Sequence, residues 1–247
     1  MRRDRHRCAV GRKGPAVPVP VALLVVALFV SPNVLAALAG APADSPALPA
    51  GRVAGSLALT LLVQLVVFGV ALVPLAVTRR LDRRLVGSAT GRVGRLLRAG
   101  IVVGAVALVA SYTVNALLVM VIDTAEPVRQ QLLVDALRGG VALAVAAVIA
   151  VVVAPLTEEL VFRGVLFRSL ADRFGVGAGV VLSAAVFSLV HLEVLWSQPA
   201  ALAGLFVIGA VLAAGYHRTG SVLVPVVGHA VFNAVSLSLA FVAQRLA

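Results

Sequence analysis

Two carboxylates stand side by side at Glu158 and Glu159 in the stretch TEELVFRGVLF, and a guanidinium follows four residues on at Arg163. Further along, Phe187 and His191 are four apart in VFSLVHLEVLW, and His229 and Asn233 are four apart in GHAVFNAVSL. All three stretches lie in apolar runs. A charge at the centre of a bilayer costs about 2.5–3.5 kcal/mol on insertion scales, so charges kept there are functional candidates. The residue types suit the activation of water. A carboxylate or imidazole can take a proton from it, while an imidazole and an amide donate hydrogen bonds to a developing oxyanion. The set Glu158, His191 and His229 could instead hold a zinc ion with one open position. No HExxH helix occurs, so ordinary zincin geometry is absent.

Each group alone has a plainer reading. The carboxylates could sit at a helix end and reach headgroup water. His191, or the pair His229 and Asn233, could join one helix to another. Against the first, Val161, Phe162, Val165, Leu166 and Phe167 continue the apolar run past the carboxylates, which sets Glu158 ~14 Å inside the span. Glu159 and Arg163 share a helix face and form an i,i+4 pair, whereas Glu158 points about 100° away and faces something else. Pro155 removes one helical hydrogen bond just upstream and can kink the span. Glu193 and His217 fall near span ends and read as interface residues, with Trp196 as an anchor.

The elements that must position these groups are membrane spans. The 247 residues are 61% hydrophobic and 13% charged, with mean hydropathy +1.08. Soluble domains are about half apolar and a quarter charged. Apolar runs fall near residues 17–39, 53–77, 100–122, 141–167, 177–196, 200–216 and 220–243. This predicts an all-α, polytopic helix bundle of about seven spans, with no β-barrel alternation. The segment 40–51 reads as a loop and 123–140 as a short surface helix. Three regions follow: a basic tail over 1–16, helices without a recognised motif over 17–140, and a catalytic core over 141–244.

The net charge of +11 sits at the ends of the runs, which points to membrane topology and away from nucleic acid. Arg2, Arg3, Arg5, Arg7, Arg12 and Lys13 precede the first run. Arg79, Arg80, Arg83, Arg84, Arg92, Arg95 and Arg98 follow the second, Arg168 and Arg173 the fourth, and Arg218 the sixth. The opposite side holds only Arg52, Arg129, Arg138 and Arg245. The positive-inside rule then puts the N-terminus in and the C-terminus out. The first run also resembles a secretory signal ending at Ala37-Leu38-Ala39, but its length favours a retained span. Cys8 is the only cysteine, so there is no intrachain disulfide.

Taken in order, Glu158-Glu159-x-x-x-Arg163, Phe187-x-x-x-His191 and His229-x-x-x-Asn233 resemble the three motifs of the CAAX prenyl endopeptidase and bacteriocin-processing (CPBP, or Abi) intramembrane protease family. The resemblance covers roughly residues 141–240. It implies a membrane endopeptidase with its site in a cavity within the bilayer. Glu158 would activate water with help from His191, and His229 and Asn233 would stabilise the oxyanion. Glu159 would complete the catalytic set, and Arg163 and Phe187 would support it. The family is labelled metalloprotease, and a metal-free glutamate mechanism has also been argued for it, so the cofactor is zinc or none.

The implied partners are the bilayer and a peptide or membrane-protein substrate. The implied place is the plasma membrane, with the site open to the cytoplasm. CAAX-type processing and bacteriocin maturation or immunity are equally open roles. A proton-coupled transporter or channel, and a catalytically silent immunity or scaffold protein, are the rival readings. Helix counting raises one difficulty: His191 comes out about 20 Å deep, deeper than Glu158 and His229. The three can meet only if the fifth span is tilted or starts outside the membrane.

Overall fold

The computed structural model describes residues 17–38, 50–78, 93–121, 140–191 and 199–246. These residues are helical, with no strand among them. The helices are α1 (Val19–Leu38), α2 (Ala50–Val77), α3 (Val93–Val119), α4 (Gly140–Phe174), α5 (Val176–Leu189), α6 (Pro199–Thr219) and α7 (Leu223–Leu246). Five of them, α2, α3, α4, α6 and α7, are long and apolar enough to cross a membrane. Of the other two, α5 is a shorter apolar helix. The expected loop over 40–51 and surface helix over 123–140 lie almost wholly outside the described residues, as does the basic tail.

The outside of the bundle is as apolar as its inside. Leu59, Leu62, Leu65, Val66, Val73, Val102 and Val109 are all more than half exposed, while Arg163, Glu159 and Thr157 are among the most buried side chains. This inverts the soluble pattern and matches a chain whose solvent is lipid. The multi-pass membrane character expected from composition therefore stands. The number of crossings and the side of each terminus remain expectations.

Two corrections concern α4 and α5. The fourth helix runs on to Phe174, seven residues past the expected end at Phe167, as about two amphipathic turns that bury Ser169 and Leu170 and carry Arg168, Asp172 and Arg173. The fifth ends at Leu189 rather than 196. Its 14 residues span only about 21 Å, against roughly 30 Å for a hydrocarbon core. Gly175, at φ +87°, makes the sharp turn between the two helices in a conformation that L side chains rarely adopt.

Close contacts fix the helices around the site. Gly100 and Gly104 of α3 form a G-x-x-x-G face against α7. A Cβ at Gly104 would lie 2.6 Å from the carbonyl oxygen of Gly228. The backbones of α3 and α7 therefore approach closely at Gly228, which fixes His229, the next residue, relative to α3. At the other end of α4, Ser169 Oγ donates to the Val17 carbonyl at 2.8 Å. Val17, Ala22, Val25 and Val26 are buried in the same core as Val161, Phe162 and Leu166, so the first run packs directly on the helix that carries the carboxylates.

Candidate active site

The carboxylate pair sits in a helix with two changes of register. Residues Ile149–Val153 and Leu160–Phe167 of α4 are π-helical, and the α-helical turn between them, Ala154–Glu159, carries both glutamates. π-turns inside α-helices often mark functional sites. The first has a local cause. Pro155 carries no amide hydrogen, and its ring would crowd the carbonyl four residues back in a regular α-helix. Widening the turn ahead of it relieves that crowding. The proline kink expected from sequence is thus a π-turn.

Glu159 is completely buried, at 0% exposure, and is the hub of the cluster. Its Oε1 accepts from Arg163 Nη1 at 2.9 Å and from His229 Nδ1 at 2.9 Å. The predicted i,i+4 pair is present. Arg163, 1% exposed, also donates from Nη2 to the Gly209 carbonyl of α6 at 3.1 Å. Its guanidinium carbon lies 4.8 Å from the centre of the Phe187 ring, within cation–π range. Gly209 itself must be small, since a Cβ there would meet Ala184 Cα at 3.0 Å.

Glu158 points elsewhere, as its position on the helix predicts. It is 7% exposed, and its Oε2 has no hydrogen-bond partner. That oxygen lies 3.9 Å from His229 Nε2, too far for a direct hydrogen bond. His229 therefore stands between the two carboxylates, bonded to Glu159 on one ring nitrogen and turned toward Glu158 on the other. An ionised carboxylate only accepts, so Glu159 fixes the His229 proton on Nδ1.

His191 lies just past the end of α5, its backbone N–H bonded to Ser188 O. Its Nδ1 is 2.8 Å from the Phe187 carbonyl. A carbonyl accepts only, so Nδ1 carries a proton and Nε2 of the neutral ring keeps its lone pair. The Phe187 ring is 5.2 Å from the His191 ring and 5.9 Å from that of His229. It thus separates the two imidazoles while stacking on Arg163. α5 ends just before His191, and the rings of His191 and His229 both lie against the Phe187 ring, so the expected difference in depth does not part the two histidines.

Asn233 is one turn beyond His229, and its Nδ2 donates to the Ala150 carbonyl at 2.7 Å. Of the remaining candidates, His217 is exposed beside Phe167 at the end of α6, in keeping with an interface position. Glu193 and Trp196 lie outside the described residues. Three contributors had no sequence signal: the carbonyls of Gly209 and Ala150, which are backbone atoms, and Phe162, whose ring meets Phe187 edge-on at 5.0 Å. The Gly100-x-x-x-Gly104 face could have been read as a packing motif.

The donor set fits a three-ligand zinc site poorly. Among the described residues no group of three His, Cys, Asp or Glu side chains converges on one point. Glu158 Oε2 and His229 Nε2 face each other, and the Nδ1 bonds of His191 and His229 leave each Nε2 as a lone-pair donor, so the set lacks convergence and not ligand types.

The fold and the cluster together define a multi-pass helical membrane protein with paired carboxylates and imidazoles at the centre of its bundle. Residues 140–235 match the family model described as type II CAAX prenyl endopeptidase Rce1-like. The match spans α4 to α7 and contains every described site residue named above. It agrees with the CPBP resemblance of the three motifs. No curated protein and no solved structure matches the chain.

Proposed function

We propose that the protein is an intramembrane endopeptidase that hydrolyses a peptide bond of a membrane-associated substrate with a water activated by Glu158. The observation that carries this is the contrast between the two glutamates. Both carboxylates keep a buried Oε2 without a partner, but Glu159 is held through Oε1 by Arg163 and His229, whereas no hydrogen bond holds Glu158, whose Oε2 lies 3.9 Å from His229 Nε2. A buried acceptor of that kind is costly unless a water or substrate completes it.

Glu158 takes a proton from the attacking water as its oxygen bonds to the scissile carbonyl carbon. His191 assists through Nε2, which has a lone pair while Nδ1 is bonded to the Phe187 carbonyl. The carbonyl oxygen becomes an oxyanion. His229 donates to it from Nε2 when both ring nitrogens are protonated, held in place by Glu159. Asn233 has a second amide hydrogen beyond the one on Ala150, and that hydrogen can serve the same oxyanion. The proton on Glu158 then passes to the leaving nitrogen as the C–N bond breaks. Arg163 balances the charge of Glu159 and does not touch substrate. No step passes through a metal, since the described side chains do not form a three-ligand set.

Support for a CAAX-type substrate comes from the family match. The basic residues at run ends support a cytoplasmic opening in the plasma membrane. The test is cleavage of a lipidated C-terminal CAAX peptide and of an unlipidated one by purified protein in vesicles, against Glu158→Gln. Release of the C-terminal fragment by wild type alone supports the proposal. Equal release by both proteins overturns it.

A further inference from the structure

The amide of Asn233 does something that the hydrolytic scheme does not require, and it follows from Pro155. In the first π-turn the amide of Ala154 donates to the Ile149 carbonyl, five residues back. The next amide in that register would donate to the Ala150 carbonyl, but it belongs to Pro155, which has no hydrogen. The turn that accommodates the proline therefore leaves the Ala150 carbonyl without its backbone donor. Inside a bilayer no water core is present to replace it, and such a group costs several kcal/mol if left alone. Asn233 Nδ2 donates to this oxygen at 2.7 Å, across 83 residues of sequence.

We infer that Asn233 is a positioning residue. It satisfies the carbonyl orphaned by Pro155, ties α7 to the π-turn, and so sets the position of the glutamates relative to His229. The geometry gives this bond leverage. Asn233 and His229 are one turn apart on α7, while Ala150 and Glu159 are on α4. The two contacts, Asn233 to Ala150 and His229 to Glu159, tie the same pair of helices at two levels. Loss of the Asn233 tie leaves the Ala150 carbonyl without a donor and removes one of the two ties between α4 and α7, which lets Glu158 and Glu159 shift together relative to His229. The role adds to the oxyanion contact proposed above, and its stability arm does not depend on that proposal.

A cycle with Pro155 tests it. Pro155→Ala restores the backbone amide, so the Ala150 carbonyl gains a donor of its own. Thermal midpoints in detergent are measured for wild type, Asn233→Ala, Pro155→Ala and the double variant. The expected result is that Asn233→Ala lowers the midpoint by several degrees with Pro155 present. The same change should lower it by less than half as much in the Pro155→Ala background. Asn233→Asp, similar in size but presenting only acceptors when ionised, should be less stable than Asn233→Ala. Equal losses in both backgrounds, or an Asn233→Asp protein as stable as wild type, overturn the inference.

Peptide cleavage per folded molecule separates the two roles. A positioning role predicts a fall in kcat of about tenfold to a hundredfold for Asn233→Ala at little change in KM. It also predicts a smaller proportional fall when Pro155→Ala is present. An undiminished proportional fall together with equal midpoint losses leaves Asn233 an oxyanion donor alone. Absence of any cleavage by wild type refutes the proteolytic reading and leaves the midpoint cycle to decide this one.

Discussion

His229 Nδ1 and Glu159 Oε1 lie 2.9 Å apart, and the same oxygen accepts from Arg163. One buried carboxylate thus balances a guanidinium and orients an imidazole. Remove Arg163 and the carboxylate keeps only one partner at membrane depth. Breaking a buried pair from one side costs ~3–5 kcal/mol, a large share of a marginal total. Arg163→Ala should therefore reduce detergent-extracted yield and thermal midpoint sharply. Glu159→Gln combined with Arg163→Met should recover both better than Arg163→Ala alone. An Arg163→Ala protein as stable as wild type but inactive per folded molecule would instead place the guanidinium on the substrate.

His191 and His229 act on one water and one carbonyl in this account. His191→Ala and His229→Ala should each remove most activity, and the double variant should lose little more, because residues that act as a unit are non-additive. Single-turnover rates for the three proteins check this. Losses that multiply independently argue for separate sites.

The α3–α7 contact should be sensitive to any added side chain. A Cβ at Gly104 would stand 2.6 Å from the Gly228 carbonyl, a rigid backbone atom. Gly104→Val should cost at least ~1–3 kcal/mol by overpacking. It should also lower activity by shifting His229. Gly55 has nothing within 4 Å of its Cβ position, so Gly55→Ala should leave the midpoint near that of wild type. Thermal melts of both variants in one detergent make the comparison.

Chelators divide the two chemistries that the residue types allow. With no three-ligand group among the described side chains, 1,10-phenanthroline should leave cleavage within about twofold of untreated protein. Loss of activity that added zinc restores would show that the site rearranges around a metal.

Much of the site was legible because charge is costly in lipid. Glu158, Glu159, Arg163 and His229 stand out from apolar runs, and the four-residue spacing of Glu159 and Arg163 foretells their bond. What sequence withheld is mostly backbone. Hydropathy reads the same for α- and π-helical turns, so the register shifts around Ala154–Glu159 left no trace beyond Pro155. The carbonyls of Gly209 and Ala150 have no letter of their own. The end of α5 at Leu189 was hidden because Val190, Leu192, Val194, Leu195 and Trp196 extend the apolar run past it.

The central claim is that Glu158, not Glu159, activates the water. Glu158→Gln keeps the shape of the side chain and removes its capacity as a base, while its Oε2 has no protein partner to lose. The decisive measurement is the single-turnover cleavage rate of a CAAX-type peptide by wild type and Glu158→Gln reconstituted at equal folded concentration. The account predicts a loss of at least about a hundredfold with an unchanged thermal midpoint. Near-normal turnover in the folded variant would contradict it.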